Sequence, residues 1–229
     1  MDILLVSATS FEIRELCNKI SANTFIPEKN FQCFKYGRLR INILITGPGI
    51  NLTSYKLSSL LTTNVFDLCI QAGISGAFGH QWKLGEVVNV RSERFAQLGA
   101  EDGENFLDIF ELGLLGQNEF PFSEGKLVNK NQFTYASLNS LKEAEGITVE
   151  TVHGNEISIE KINAKYNPAV ESMEGAAFFY ACLMHNIPFI ELRAISNYVE
   201  KRNKANWNIN EAVEQLNNVL IGLVEEIAS

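Results

Sequence analysis

Short apolar runs alternate with helical patterns along most of this chain. Runs of four to eight mostly apolar residues occur at 3–6, 39–45, 67–71 and 188–195. Such runs are typical of strands that are buried on both faces. Helices are predicted between and after them, at residues 11–20, 51–62, 157–166, 175–185 and 209–227. The last helix carries apolar residues three and four apart, which indicates one face packed on the core.

The middle of the chain is less regular. We predict a long strand at residues 87–97, a helix at 138–145 and a strand at 147–152. Residues 98–132 mix Gly, acidic and aromatic residues without periodicity, which predicts a long loop with a functional or subunit-contact role. Because no linker or repeat interrupts the pattern, one domain is expected over residues 1–229. The expected fold class is α/β, a three-layer α/β/α sandwich around a central mixed β-sheet.

The composition is that of a folded protein and narrows the range of partners. Of the 229 residues, 46% are hydrophobic and 20% are charged, and the net charge is −8. Nucleic acids and anionic membranes both need concentrated Lys and Arg, so neither is expected as the main partner. No apolar run reaches membrane-spanning length, and the start at Met1 lacks a leader-like pattern. A cytoplasmic location is therefore expected.

Several familiar site patterns are missing. Two glycine turns, G-P-G at 47–49 and G-I-S-G at 73–76, follow apolar runs. Neither turn has the Gly-Lys-Ser/Thr of a phosphate-binding loop or the third glycine of a dinucleotide fingerprint. The histidines His80, His153 and His185 have no metal-ligand spacing, and no nucleophile elbow is present. We therefore expect no metal site and no cofactor.

Three charged side chains stand where a ligand site is expected. Glu12 follows the first strand, Glu174 follows a short extended segment, and Arg193 lies inside an apolar strand. A guanidinium in such a strand needs a carboxylate partner, and a buried glutamate needs a hydrogen-bond donor. All three lie at or near strand ends, where open α/β sheets place their ligands. Each also has a purely structural interpretation, as a helix-dipole contact, a satisfied buried acid or a buried ion pair.

Four longer motifs resemble a known family. They are A-T-S-F-E at 8–12, S-E-R-F-A-Q-L-G-A-E-D-G at 92–103, E-S-M-E-G-A-A at 171–177 and R-A-I-S-N-Y-V-E-K-R-N-K-A-N-W at 193–207. On these motifs the chain is similar to the nucleoside phosphorylase and nucleosidase superfamily, and most closely to its bacterial futalosine hydrolases. The resemblance covers nearly the whole chain. It implies an enzyme that hydrolyses the N-glycosidic bond of a purine nucleoside without a cofactor.

The resemblance also implies roles for individual residues. Glu12 matches the general base that activates the attacking water, assisted by Arg193. Glu174 matches the acid that accepts a hydrogen bond from the ribose 2′-hydroxyl, and Met173 matches the residue packed against the sugar. Negative charge there suits a ribose that becomes oxocarbenium-like as the bond breaks. Further substrate-binding residues are predicted to be Ser75, Gly76, Phe95, Ile157 and Trp207.

Futalosine carries an aryl ketone and a carboxylate on the 5′ side of its sugar, which require an apolar slot and a cation. Candidates for the slot are Phe95, Phe106, Phe110 and Trp207. Candidates for the cation are Arg94, Lys201 and Arg202.

Asn197 marks a departure from the adenine nucleosidases of this superfamily, which have an aspartic acid at the matching position. An amide cannot protonate the purine, but it can donate a hydrogen bond to N7 or to a 6-oxo group. Asn197 therefore favours hypoxanthine over adenine as the leaving base.

The attacking group is predicted to be water, although one residue departs from the pattern. Related phosphorylases bind phosphate with arginines after the first strand, whereas residues 7–12 contain no cation and Glu12 would repel phosphate. Ile74 stands where the adenine nucleosidases usually have a hydroxyl, with Ser75 one place later.

The predicted function is hydrolysis of futalosine to hypoxanthine and dehypoxanthinyl futalosine in menaquinone biosynthesis, by a homodimer or higher homo-oligomer. An adenine nucleosidase acting on methylthioadenosine, adenosylhomocysteine or aminofutalosine is the first alternative. A purine nucleoside phosphorylase and a catalytically silent purine-binding protein are the others.

Overall fold

A computed structural model describes residues 1–21, 24–27 and 31–229 of the chain. Within these ranges, eleven strands form one mixed sheet and two more form a separate hairpin. The strands are β1 Asp2–Ser7, β2 Thr24–Pro27, β3 Gln32–Tyr36, β4 Leu39–Ile45, β5 Leu68–Ala77, β6 Val87–Glu93, β7 Gly99–Asp102, β8 Asn105–Asp108, β9 Phe122–Ser123, β10 Lys126–Val128, β11 Lys142–Thr148, β12 Val170–Ser172 and β13 Phe189–Tyr198. The helices are α1 Arg14–Ser21, α2 Ile50–Leu61, α3 Ala136–Asn139, α4 Glu156–Tyr166, α5 Gly175–Met184 and α6 Ile209–Ala228, with a 3₁₀ turn at Lys204–Asn206.

The parallel strands at the centre of the sheet bring their carboxyl ends to one edge. β1 pairs in parallel with β4 and β5, and β5 pairs in parallel with β13. These strands are apolar because helices cover both faces of the sheet. The loops that follow β1, β4 and β13 therefore open on the same side of the molecule, which is where open sheets bind ligands.

Half of the sheet forms a closed ring of strands. β13 pairs with β5 and with β6, while β12 and β11 connect β5 to β6 on the opposite side. The register of β13 against β5 shifts between Ile195 and Asn197, so Ser196 forms a β-bulge. A bulge changes the direction of the side chains beside it and is common next to active sites. Here it directs the residues that enter the loop after β13.

Helices cover both faces of the sheet. α1 and α6 pack on one face through residues such as Leu16 and Leu220, and α2 and α5 cover the other through residues such as Leu57 and Phe178. α5 is apolar on all sides because it is enclosed between α2 and the sheet. The fold class predicted from sequence is therefore confirmed. Within the described ranges, no helix combines the length and apolarity required to cross a bilayer.

Two predictions for the middle of the chain are wrong, and the strand predicted at 147–152 is displaced, because β11 spans Lys142–Thr148. Residues 138–145 were predicted to be a helix, but only α3 is helical there and β11 follows at once. β11 contains helix-forming residues, yet it pairs with β6 and β12, and this tertiary pairing outweighs local propensity. Residues 98–132, predicted to be a loop, contain the short strands β7 to β10.

Candidate active site

A cavity of about 490 Å³ lies where the carboxyl ends of the central strands meet. Seven of the predicted site residues line it: Glu12, Ser75, Gly76, Met173, Glu174, Asn197 and Trp207. Arg193 lies directly behind this wall and donates to Glu174. Depressions of about 680 and 820 Å³ border α4, but none of the predicted catalytic residues lines either of them.

Glu12 is held by four hydrogen-bond donors. Its Oε2 accepts from the Thr9 backbone N–H at 3.0 Å, the Thr9 hydroxyl at 2.8 Å and the Ser7 hydroxyl at 3.3 Å. Its Oε1 accepts from the Ile74 N–H at 3.1 Å. The backbone is fixed as well, because Asn217 Nδ2 of α6 donates to the Glu12 carbonyl at 2.8 Å. These contacts fix a buried carboxylate at the cavity wall, which is the geometric requirement for a general base.

Arg193 is the centre of a buried charge cluster, and it has the carboxylate partners that the sequence requires. Its Nε donates to Glu191 at 2.7 Å and its Nη1 donates to Glu174 at 3.2 Å. Burial alone would lower the pKa of Arg193, but Glu191 and Glu174 outweigh it and hold that pKa above its ordinary value. Glu12 lies beside the same guanidinium: a Cβ on Gly73 would meet Arg193 Nη1 at 2.6 Å and Glu12 Oε1 at 3.0 Å. One cation therefore adjoins both Glu12 and Glu174.

Glu174 lies directly before α5 and is also bound by the G-P-G turn. Its Oε1 accepts a hydrogen bond from the Gly49 N–H at 3.0 Å. Gly49 has φ +97, a conformation that residues with a side chain rarely adopt. The turn therefore places a backbone donor on the protein's own carboxylate and leaves the other oxygen, Oε2, to Arg193.

A second pair of carboxyl groups lies behind this cluster. Glu93 and Glu191 are both 0% exposed, and a Cβ on Gly175 would meet Glu93 Oε1 at 2.3 Å and Glu191 Oε1 at 2.7 Å. The glycine in E-S-M-E-G-A-A thus leaves space for two carboxyl groups. Burial, followed by the charge of Glu191, raises the pKa of Glu93 well above its ordinary value, although Thr148 donates to Glu93 at 2.7 Å. Burial also raises the pKa of Glu191, but Arg193 binds that carboxylate directly, so Glu93 is the group whose neutral form the site favours.

With Glu93 replaced by glutamine, the free energy of unfolding is expected to fall less steeply as the pH rises above neutrality. The pKa of Glu93 is raised in the folded state, so above the ordinary glutamate pKa the unfolded chain releases a proton that the native protein keeps. Stability from this group is complete below that ordinary pKa and is lost as the pH rises through the folded-state pKa. Glutamine retains the neutral donor without titrating.

Urea unfolding of both proteins between pH 5 and pH 9 measures this effect. Glu214→Gln, which removes an exposed carboxylate on α6, is the matched control. Equal pH dependence in the wild type and Glu93→Gln would show that Glu93 is ionised in the native protein.

Asn197 follows the bulge in β13, and its amide has a defined orientation. Its Oδ1 accepts from the Ser196 hydroxyl at 2.8 Å, and its Nδ2 donates to the Tyr198 carbonyl at 3.0 Å. A flipped amide would place two acceptors against each other at Tyr198. The second N–H of Nδ2 has no partner among the described residues. A Cβ on Gly76 would meet Val199 Cγ2 at 2.9 Å and Asn197 Nδ2 at 3.2 Å, so only glycine lets the amide pack this closely against β5.

The cavity also contains a hydrogen-bonded pair that the sequence analysis did not predict. His153 and Glu171 both line it, and the His153 backbone N–H donates to Glu171 Oε1 at 2.9 Å. The His153 ring nitrogen Nδ1 contacts Glu171 Oε2. The sequence places Glu171 at a strand end, three residues before Glu174, but no local pattern connects it to His153. No group of three or more potential metal ligands occurs within the described residues.

Two predicted substrate-binding residues, Ile157 and Phe95, lie outside the cavity. Ile157 is 65% exposed because it occupies the first turn of α4, on the side that faces solvent. Phe95 continues beyond β6, forms a bridge with Thr148 and packs its ring near Tyr180. Neither side chain contributes to the cavity wall.

Of the other residues predicted to bind the 5′ side of the substrate, two line the cavity and the rest do not. Trp207 and Arg202 line the cavity, with the Arg202 guanidinium 5.0 Å from the centre of the Trp207 ring. Arg94, Phe106, Phe110 and Lys201 border other depressions.

Comparison with known proteins identifies the family. The chain belongs to the phosphorylase superfamily, whose model matches residues 2–227. It is 32% identical to the futalosine hydrolase of Thermus thermophilus over 186 residues, 80% of each protein. It is also 32% identical to the futalosine hydrolase of Streptomyces coelicolor over 152 residues, 66% of this chain and 62% of that protein. The structure of a 5′-methylthioadenosine/S-adenosylhomocysteine nucleosidase from Colwellia psychrerythraea, in complex with adenine, matches with a TM-score of 0.81 at 18% identity, covering 99% of this chain and 95% of that one.

These matches confirm the family resemblance and the fold class that the sequence predicts. They also show the class of activity, which is hydrolysis of an N-glycosidic bond.

Proposed function

We propose that this protein hydrolyses futalosine with water and releases hypoxanthine and dehypoxanthinyl futalosine. The observation that carries the proposal is the single cavity shared by Glu12, Glu174 and Asn197. Two curated relatives at 32% identity are futalosine hydrolases. The place of this reaction in menaquinone biosynthesis follows from the family resemblance.

Glu12 and Glu174 suit the chemistry at the sugar. As the N-glycosidic bond breaks, positive charge develops on the ribose, and nearby carboxylates stabilise it more in the transition state than in the substrate. In this scheme Glu174, fixed by Gly49 and Arg193, accepts the ribose 2′-hydroxyl. Glu12 takes a proton from the attacking water. Met173 lines the same cavity and, in this scheme, packs against the sugar.

Asn197 can donate a hydrogen bond to the purine as it leaves. Its free N–H is a neutral donor, and the N7 and O6 atoms of hypoxanthine are acceptors on one edge of the purine. The 6-amino group of adenine presents a donor instead, so it would leave two donors facing each other. A closed site discriminates strongly against a substrate that leaves its polar groups unpaired. The amide therefore favours a 6-oxopurine.

Replacing Asn197 with aspartate is expected to shift the preference from 6-oxo toward 6-amino substrates. The carboxylate accepts from a 6-amino group and repels O6, and one unpaired buried polar group changes the ratio of kcat/KM by about 10²-fold. The ratio is measured with futalosine and aminofutalosine. Asn210→Asp introduces the same charge at an exposed position of α6 and serves as the control. An unchanged ratio in Asn197→Asp would remove Asn197 from base recognition.

Water is favoured over phosphate as the attacking group. Glu12, Glu171 and Glu174 place three carboxylates on the cavity wall, and the adjacent cation Arg193 is already bound by Glu191 and Glu174. A phosphate dianion would be repelled from this region.

The test of the proposed function is to incubate the protein with futalosine, inosine and methylthioadenosine, each with and without phosphate. Hypoxanthine released from futalosine at the same rate in both buffers is the expected result. If adenine is released from methylthioadenosine faster than hypoxanthine is released from futalosine, the adenine nucleosidase alternative is established. Hypoxanthine released from inosine only when phosphate is present would establish a phosphorylase.

Trp207 and Arg202 are the groups we assign to the 5′ substituent of futalosine. A stacked indole and guanidinium supply an apolar surface and a cation next to one another, as an aryl ketone with a carboxylate requires.

Self-association of the chain is also proposed, as a homodimer or a higher homo-oligomer. Leu114 and Phe120 are 72% and 69% exposed in the segment between β8 and β9, where a subunit contact was expected from sequence. Analytical ultracentrifugation of the purified protein tests this, and a monomer at micromolar concentration would contradict it.

A further inference from the structure

His153 and Glu171 form a rigid pair that the catalytic scheme above does not use. Both oxygens of Glu171 are occupied by His153, one by its backbone N–H and the other by its ring Nδ1. Glu171 is 3% exposed, and the His153 side chain is 9% exposed. The residue after His153 is held from the other side, because the Gly154 carbonyl accepts from the Arg202 N–H at 3.4 Å. The imidazole therefore has a fixed position in the cavity wall.

The contact with Glu171 also defines the chemistry of the ring. A carboxylate oxygen that faces a ring nitrogen can only accept, so Nδ1 carries the proton. The opposite nitrogen, Nε2, makes no hydrogen bond within the described residues. In the neutral ring Nε2 is an acceptor, and it is the ring nitrogen that the contact with Glu171 leaves free for a ligand.

Strand register places this pair next to Asn197. Glu171 of β12 lies opposite Gly76 of β5, and Gly76 lies opposite Asn197 of β13. The three positions form one row across neighbouring strands. Since adjacent strands are about 4.8 Å apart, Glu171 and Asn197 are roughly 10 Å apart. All three residues line the same cavity.

We infer that His153, oriented by Glu171, is a second base-recognition residue whose Nε2 accepts a hydrogen bond from N1–H of a 6-oxopurine. The inference rests on the proposed function. In hypoxanthine, the acceptor O6 and the donor N1–H are neighbours on the ring. Asn197 supplies a donor for the first, and His153 supplies an acceptor for the second. Adenine presents the reverse pattern at both positions, a donor at the 6-amino group and an acceptor at N1.

Glu171→Gln is the sharpest test because it is expected to reverse the tautomer of His153 while keeping the pair intact. The glutamine oxygen still accepts from the His153 backbone N–H, and its NH₂ group donates to Nδ1. The proton then lies on Nε2, which becomes a donor and matches N1 of a 6-aminopurine. The expected result is a fall of about 10–10²-fold in the futalosine to aminofutalosine ratio of kcat/KM.

His153→Ala removes the acceptor without replacing it. Its expected effect is a fall of about 10-fold or more in kcat/KM for futalosine, with a smaller change for aminofutalosine. His185→Ala, at an exposed histidine at the end of α5, is the matched control and is expected to leave both values unchanged. Thermal unfolding and circular dichroism show whether each variant is folded.

The outcomes separate this inference from the function it rests on. A wild-type protein without preference for futalosine over aminofutalosine contradicts the proposed function itself. A wild-type preference that survives unchanged in both variants overturns the role of His153 alone. Equal losses for both substrates in His153→Ala, together with an unchanged ratio in Glu171→Gln, also overturn it, because His153 would then be only a wall of the cavity. A loss confined to substrates with the 5′ carboxylate, with inosine unaffected, would place His153 at the other end of the substrate.

Discussion

Glu12→Gln is expected to lower kcat for futalosine hydrolysis by about 10²–10⁴-fold, the contribution of a positioned general base. The carboxylate occupies a fixed position between Thr9, Ser7 and the Ile74 N–H, so the loss of its basicity cannot be offset by rotation. Glutamine is nearly isosteric and the fold should be retained. Steady-state release of hypoxanthine gives kcat, and KM is expected to change much less because the carboxylate acts in the transition state.

Glu15→Gln provides the control for this change. It removes a carboxylate three residues further along the same segment, where Glu15 is half-buried and only distantly paired with Arg14. A kcat for Glu12→Gln within about tenfold of the wild type would show that another group activates the water.

Arg193→Met is expected to produce the largest loss of stability, about 3–5 kcal/mol in the free energy of unfolding. Arg193 is 1% exposed, and its removal leaves Glu191 and Glu174 without their shared cation. Part of the penalty can be relieved if one of the two carboxyl groups takes up a proton, so the loss should be smaller at acidic pH. Urea unfolding at two pH values measures both effects.

The control for this variant is Arg14→Met, which removes an exposed guanidinium whose ion pair with Glu15 is 4.0 Å long. Exposed pairs contribute about 0–1 kcal/mol, so little change is expected. A loss below about 1 kcal/mol in Arg193→Met would mean that the buried cluster does not depend on its cation.

The sequence predicted the central strands and the main helices because their patterns are long and apolar. It also predicted partners for Arg193, since a buried guanidinium requires them. The closed strand ring and β11 were not predictable, because long-range pairing decides them against local helix propensity.

For the site, the sequence pointed to the residues at strand ends but not to those that support them. Glu191 could have been found, because residues two apart on a strand share a face and Glu191 precedes Arg193 by two. The His153 and Glu171 pair joins separate segments, and no local pattern indicates it. Ile157 and Phe95 lie outside the cavity, which could not be foreseen because the resemblance does not specify which way a side chain points from its element.

A crystal structure of Glu12→Gln with futalosine tests the central claim most directly, because slow hydrolysis allows the substrate to be trapped. The expected result is one bound nucleoside with its 2′-hydroxyl at hydrogen-bond distance, about 2.5–3.0 Å, from Glu174 and its purine N7 or O6 about 3 Å from Asn197 Nδ2. A nucleoside bound with its sugar away from Glu174, or with its purine away from Asn197, would contradict the claim that these residues act on one substrate.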